Sequence, residues 1–166
     1  INSDLANNYG NLCQRVTAFA IKYCEGKIPE KIKFEEVDLN ILNKFKDNLE
    51  NIRLKIDQQN LNFYINYIVN SLFEANKYFN DQEPWKKKDD IIRLNTIVFT
   101  ALEIIRKISF LLYPIIPGSA LKALKIFNLN EKDIKLDDIS KNEFLIKGNS
   151  INKINILFKK IEKNND

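Results

Sequence analysis

The chain contains no histidine, and that single absence removes His-based general acid–base catalysis, Ser-His-Asp triads and His-containing zinc sites from consideration. Glycine is scarce too. The four glycines, at positions 10, 26, 118 and 148, stand alone, so no Gly-rich loop is available to cradle a phosphate. With only four prolines as well, breakers are few for 166 residues, which favours long helices over a strand-and-turn fold. The two cysteines, Cys13 and Cys24, are eleven residues apart. In one helix, at ~1.5 Å rise per residue, they would lie roughly 16 Å apart and could not bridge. They read as free thiols of a reducing compartment. No run reaches the ~18 uninterrupted apolar residues of a membrane span, and no basic segment followed by an apolar one opens the chain. A soluble cytoplasmic protein without a membrane partner is expected. The first residue is Ile rather than Met, which suggests a piece of a longer chain.

What is present is a hydrophobic fraction of 45%, enough for one substantial core, and a mild net charge of +4. That charge permits nucleic-acid binding without demanding it. Asn, Lys and Ile recur throughout, so runs of Asn or Lys carry little meaning alone.

Apolar residues recur at steps of three and four. Leu5, Tyr9, Leu12, Val16, Phe19 and Tyr23 predict a helix from about Ser3 to Glu25, with Asn2 or Ser3 as cap and Gly26 as stop. Leu42, Phe45, Leu49, Ile52 and Ile56 predict a second over Asp38 to Gln58. Leu61, Ile65, Ile68, Leu72, Ala75 and Phe79 predict a third over Asn60 to Asn80. The segment Asp89 to Leu112 is the most apolar, through Ile91, Leu94, Val98, Ala101, Ile105, Ile108 and Leu112. So wide a face belongs at the centre of a bundle. Pro114 and Pro117 end it, and a short fifth helix follows over about Ser119 to Phe127. The expected fold is all-α: an antiparallel helix bundle of four long helices plus a short fifth helix and an irregular C-terminal tail. Residues 1–129 would form the bundle and 130–166 an extension.

Two features could carry function. Asn7, Asn11 and Arg15, spaced i, i+4, i+8, form a polar stripe displaced roughly 120° from the apolar one. Amides and a planar guanidinium are the groups that read base edges, although an ordinary solvent face would look the same. The connector Pro84-Trp85-Lys86-Lys87-Lys88 holds the only tryptophan, off any core stripe and beside three lysines. Stacking on an unpaired base with phosphates nearby fits it, as does a Trp folded over the bundle end. Asp89-Asp90 and Glu35-Glu36 lack metal-site partners. No catalytic constellation and no metal site are visible.

The order of motifs resembles the anticodon-binding domain of methionyl-tRNA synthetases. Asn2-Ser3-Asp4-Leu5-Ala6-Asn7 with Gly10-Asn11-Leu12 and Arg15 is similar to its opening segment. Ala75-Asn76-Lys77-Tyr78 with Pro84-Trp85 is similar to its A-N-x-Y and P-W pair. Leu111-Leu112-Tyr113-Pro114-Ile115-Ile116-Pro117 resembles its L-L-x-P-x-x-P, and Leu157-Phe158-Lys159-Lys160-Ile161 its closing L-F-x-x-I, with Lys159 where the family often has Pro. The resemblance implies that Asn11 and Arg15 read bases with Asn7 in support, and that Trp85, preceded by Pro84, stacks near the first base of a CAU anticodon; the residue reading adds Lys86, Lys87 and Lys88 as phosphate contacts. It implies the methionine tRNA as partner, through its anticodon stem-loop, and the protein's own catalytic domain, towards which the 130–166 extension would pack. No cofactor is expected in this piece, since ATP, methionine and any zinc insertion belong to the missing half with its H-I-G-H-like and K-M-S-K-S-like signatures. The parent would be an ATP-dependent methionine–tRNA ligase, and this piece should be inactive alone. The open alternatives are the helical anticodon domain of a related class I synthetase (isoleucine, valine, leucine or cysteine) and a protein-interaction bundle.

Overall fold

A computed structural model describes residues 3–154, so the closing motif at 157–161 and the Asn2 cap lie outside the described residues. Six α-helices follow one another: α1 (Ser3–Tyr23), α2 (Glu36–Asp47), α3 (Leu49–Asp57), α4 (Leu61–Gln82), α5 (Ile91–Leu112) and α6 (Pro117–Leu124). Single 3-10 turns lie at Pro84–Lys86, Lys125–Phe127, Glu131–Asp133 and Leu136–Ser140.

The periodic segments are helical, with one difference. The helix expected over 38–58 is interrupted at Asn48, whose φ of −96° and ψ of 0° place it in the bridge region. Its side-chain amide donates to the Lys44 carbonyl at 2.7 Å, and its own N–H bonds the same carbonyl at 3.1 Å. Asn competes for backbone groups in this way, and α3 restarts one residue later. Leu42, Phe45, Leu49 and Ile52 stay buried across the break. One end of each of three expected stripes does not. Ile56, Leu61 and Ile91, each in the end turn of its helix, are exposed, and Tyr64 is buried in place of Leu61.

Local chemistry sets the helix starts. The Asn60 side chain accepts from the Phe63 N–H, and that of Asp90 from the Arg93 N–H, so each caps its helix. Pro117 occupies the first turn of α6, where its missing N–H costs nothing.

Helix α5 is the axle. From Arg93 to Leu112 almost every side chain is buried, and α1, α2, α4 and α6 all pack on it. Fully buried Leu94, Ile97, Leu102 and Ile105 contribute on the order of 1.5–3 kcal/mol each. Tyr9 meets Ser109 at 2.5 Å and Cys24 meets Asn95 at 3.7 Å, so α1 runs antiparallel to α5. Tyr64 donates to the Leu111 carbonyl while Arg93 lies beside the Tyr78 partner Asp38, so α4 is antiparallel to α5 as well. Helices α1 and α4 are therefore parallel to each other, and their C-terminal ends share one end of the bundle.

Buried charge crosses this core. Glu103 and Arg106 pair at 2.5 Å with no solvent exposure, and Arg106 also donates to the Asp138 and Lys141 carbonyls, each at 2.6 Å. The Leu145 N–H donates to Glu103 at 2.7 Å, and Lys107 donates to Asn142 at 2.6 Å. Residues 136–145 are thereby held along α5. Farther on, Ile28 bonds Asn149 at 2.8 Å and Ile151 bonds Gly26 at 2.8 Å, flanking an isolated antiparallel bridge between Lys27 and Ser150. Both cysteines are buried and free. Among the described residues no helix is long and apolar enough to cross a membrane.

Candidate nucleic-acid interface

The seam between the parallel helices α1 and α4 opens at the shared end of the bundle. Asn7, Asn11 and Arg15 lie exposed along α1 beside it. Phe79 of α4 is its floor, buried to 2% exposure. The Arg15 guanidinium lies over the Phe79 ring, 5.5 Å from its centroid. One of its nitrogens donates to Asn80 Oδ1 at 2.5 Å, and another reaches Asn76 Oδ1 at 3.5 Å. Trp85 meets the same ring edge-on, with centroids 6.1 Å apart and planes at 69°. Phe19 of α1 packs on Phe79 from within at 5.9 Å.

The structure thus brings Arg15 and Trp85 together around one buried aromatic. Asn11 and Asn7 lie one and two turns farther along α1, at ~6 and ~12 Å of axial rise from Arg15. Trp85 is neither fully free nor folded over the bundle end: it packs edge-to-face on Phe79, and 39% of the residue remains exposed. That is enough to hold the ring in place and leave a face for a ligand.

The connector that presents Trp85 is pinned at its root. A proline disfavours αR geometry in the residue before it, and Glu83 adopts the left-handed region instead, with φ 45° and ψ 58°. Such a non-glycine conformation costs on the order of 1 kcal/mol and needs surrounding contacts to persist. Arg93 supplies one: it donates to the Gln82 side chain at 2.8 Å. Its other donors grip Asp38 at 2.7 and 3.0 Å, and Tyr78 donates to the same carboxylate at 2.5 Å. Asp38 is wholly buried. Burial pulls the Arg93 guanidinium down, but the Asp38 carboxylate more than offsets it, so the net direction is upward. Burial, reinforced by Asp38, drives the Tyr78 hydroxyl far above its ordinary range. Pro84 is buried beneath the turn.

The three lysines have separate surroundings. Lys86 pairs with Glu83 at 3.1 Å, and Lys87 donates to the Gln82 carbonyl. Lys88 approaches Tyr23 at 4.9 Å from its ring centroid, and Lys22 approaches the same ring at 5.2 Å. Hydrogen bonding from Lys88, then Lys22, lowers the Tyr23 hydroxyl. Two ammonium groups from different elements therefore converge at the bundle end, a disposition suited to a phosphate.

Sequence reading did not single out Phe79, Asn76, Asn80 or Tyr23 as parts of this surface. Phe79 and Tyr23 were on core stripes, and Asn76 was seen only within a motif. The available signal was spacing: Asn76 and Asn80 are four apart on one face of α4. Among the described residues no group of three or more His, Cys, Asp or Glu side chains could hold a metal ion.

Comparison with known proteins gives the family of the chain. A family model described as the anticodon binding domain of methionyl tRNA ligase matches residues 28–166. The methionine–tRNA ligase of Brucella suis is 40% identical over 126 residues, covering 75% of this chain and 24% of that protein. That of Rickettsia felis is 35% identical over 170 residues, covering 98% of this chain, so the match takes in α1 as well, and 32% of that protein. The apo methionyl-tRNA synthetase of Mycobacterium tuberculosis superposes with a TM-score of 0.86 at 28% identity, over 95% of this chain and 32% of that one. The chain thus spans about a quarter to a third of the length of these relatives.

Proposed function

The chain belongs to the anticodon-binding domain family of methionyl-tRNA ligases, and on that premise we propose that the α1–α4 seam binds the anticodon loop of the methionine tRNA, with CAU as its anticodon. The observation that carries this reading is the convergence of Arg15 and Trp85 on Phe79. An unpaired base stacks on the exposed face of Trp85, replacing the stacking lost when the loop is splayed. Arg15 and Asn11 hydrogen-bond to base edges, with Asn7 in support farther along the helix. Lys88 and Lys22, and more weakly Lys86 and Lys87, contact phosphate and add affinity without sequence information. Pro84 fixes the turn below Trp85.

In the larger ligase this recognition selects the tRNA, while ATP-dependent coupling of methionine takes place on the rest of the protein. This piece carries recognition and no catalytic group of its own.

The test is a titration with an anticodon stem-loop bearing CAU, followed by tryptophan fluorescence. Trp85 is the only tryptophan, so the signal comes from the proposed site. CAU should quench it, and a loop with G at the first position should quench much less. Equal quenching by both would reduce the domain to a non-specific RNA binder. No quenching at low salt would refute the reading.

A further inference from the structure

Phe73 is the most exposed large apolar side chain among the described residues, at 67%, although Tyr64, Tyr78 and Phe79 of the same helix are buried. It stands three residues before Asn76 and seven before Asn80, and so shares their face of α4. Those two asparagines accept from Arg15 across the seam. Because α1 and α4 run parallel, one turn back on both helices brings Phe73 level with Asn11. The two exposed aromatics, Trp85 and Phe73, therefore bracket the cluster of Arg15, Asn76 and Asn80.

We propose that Phe73 is a second stacking platform, taking an unpaired base of the bound loop other than the one on Trp85. The inference rests on the reading that the seam binds an anticodon loop. Single exposed apolar residues are common on protein surfaces, so exposure alone would carry nothing. The surroundings decide. The neighbours of Phe73 on this face are amides and cations (Asn76, Lys77, Asn80) rather than a continuous apolar patch, so a protein partner would find no core to bury. A flat ring beside amide donors, amide acceptors and a guanidinium is the combination that holds a splayed nucleobase by its face and its edge. The spacing also fits. The axial rise from Phe73 to Phe79 is ~9 Å, and the Trp85 ring centroid lies 6.1 Å from that of Phe79, so the two platforms are separate and both within the span of one splayed loop.

The test uses the whole chain and four CAU stem-loops: one intact and three each lacking one anticodon base. Binding is followed by Trp85 fluorescence for wild type, Phe73→Ala and Phe73→Tyr. Phe73 is exposed, so neither substitution disturbs the core. Phe73→Ala should weaken binding of the intact loop roughly 5- to 150-fold, and Phe73→Tyr should retain it. Removing one particular base should weaken wild type by a similar factor and cost Phe73→Ala nothing further. Wild-type affinity in Phe73→Ala, or full base-removal penalties at all three positions in that variant, would overturn the role of Phe73 and leave the seam reading standing. Failure of the wild type to bind the intact loop would overturn both.

Discussion

Replacing Asp38 with Ala should destabilise the domain and loosen the turn that carries Trp85. Asp38 is wholly buried, and Arg93 is 8% exposed. Removing the carboxylate strands a buried guanidinium and the Tyr78 hydroxyl together. Breaking one side of a buried ion pair costs about 3–5 kcal/mol. Glu35 stands 3.4 Å from Arg93, and Gln82 still accepts from it, so part of the charge keeps a partner. The expected loss is therefore at the lower end, about 3 kcal/mol. For a domain of this size that is roughly 6–12 °C in Tm. Urea denaturation followed by Trp85 fluorescence and by far-UV circular dichroism gives both the stability and the local environment. The double variant Asp38→Leu with Arg93→Met removes both charges and should recover most of the loss, because an apolar pair of similar volume replaces the bridge without an orphan. Affinity for the CAU stem-loop should not recover, because the double variant also removes the Arg93 donor to Gln82 and with it a contact that pins the turn below Trp85. A loss below about 1 kcal/mol in the single variant, or a double variant no more stable than the single, would refute this account of the network.

Lys107 is wholly buried, and burial, then Arg106, pulls its ammonium from 10.5 down to about 7. The unfolded chain then binds the extra proton between about pH 7 and 10.5, so the Lys107 contribution to stability rises with pH through that window, by at most about 1.4 kcal/mol per unit. Urea midpoints at pH 7 and 9.5 should show this rise in wild type and a flatter profile in Lys107→Met; equal slopes would refute it. Arg15→Lys keeps the charge but loses the fork over Asn76 and Asn80, so stem-loop affinity should fall by about 1–3 kcal/mol while thermal stability changes by less than about 0.5 kcal/mol. Gly26 has φ +65° in the turn after α1, with nothing within 4 Å of an added Cβ. Gly26→Ala should therefore cost about 1–2 kcal/mol of stability by backbone strain alone, and a neutral result in thermal denaturation would contradict that conformation.

Helix positions were legible because their cause is local. Periodicity placed α1, α4 and α5, while the caps that start α4 and α5, Asn60 and Asp90, were identified only in the structure. The break at Asn48 was not legible, since Leu42, Phe45, Leu49 and Ile52 keep one face across it and the stripe shows no phase change. The buried charges of α5 were missed for a different reason. Glu103 and Arg106 pair three residues apart, but the remaining partners that make their burial and that of Lys107 possible lie in residues 136–145, more than thirty positions away, and no pattern along one helix reveals partners that distant.

The candidate interface divides in the same way. Asn7, Asn11, Arg15 and Trp85 could be singled out because they are misfits: polar groups in line on a helix, and an aromatic away from any core stripe. The parts that position them are ordinary core residues in sequence. Phe79 reads as one more apolar step of α4, yet it is the surface on which Arg15 and Trp85 meet. Asp38 reads as a first-turn acid of α2, yet it fixes Arg93 and, through Gln82, the turn before Pro84. A loop-binding site needs both kinds. The exposed groups supply recognition only if their positions are set before the ligand arrives, because ordering them afterwards would consume ~0.5–1.5 kcal/mol per side chain of the binding energy. Placing the readers on helices, and tying the one non-helical reader, Trp85, to a buried ion pair, removes most of that cost. Weakening the buried set should therefore weaken RNA binding even though none of its members touches RNA.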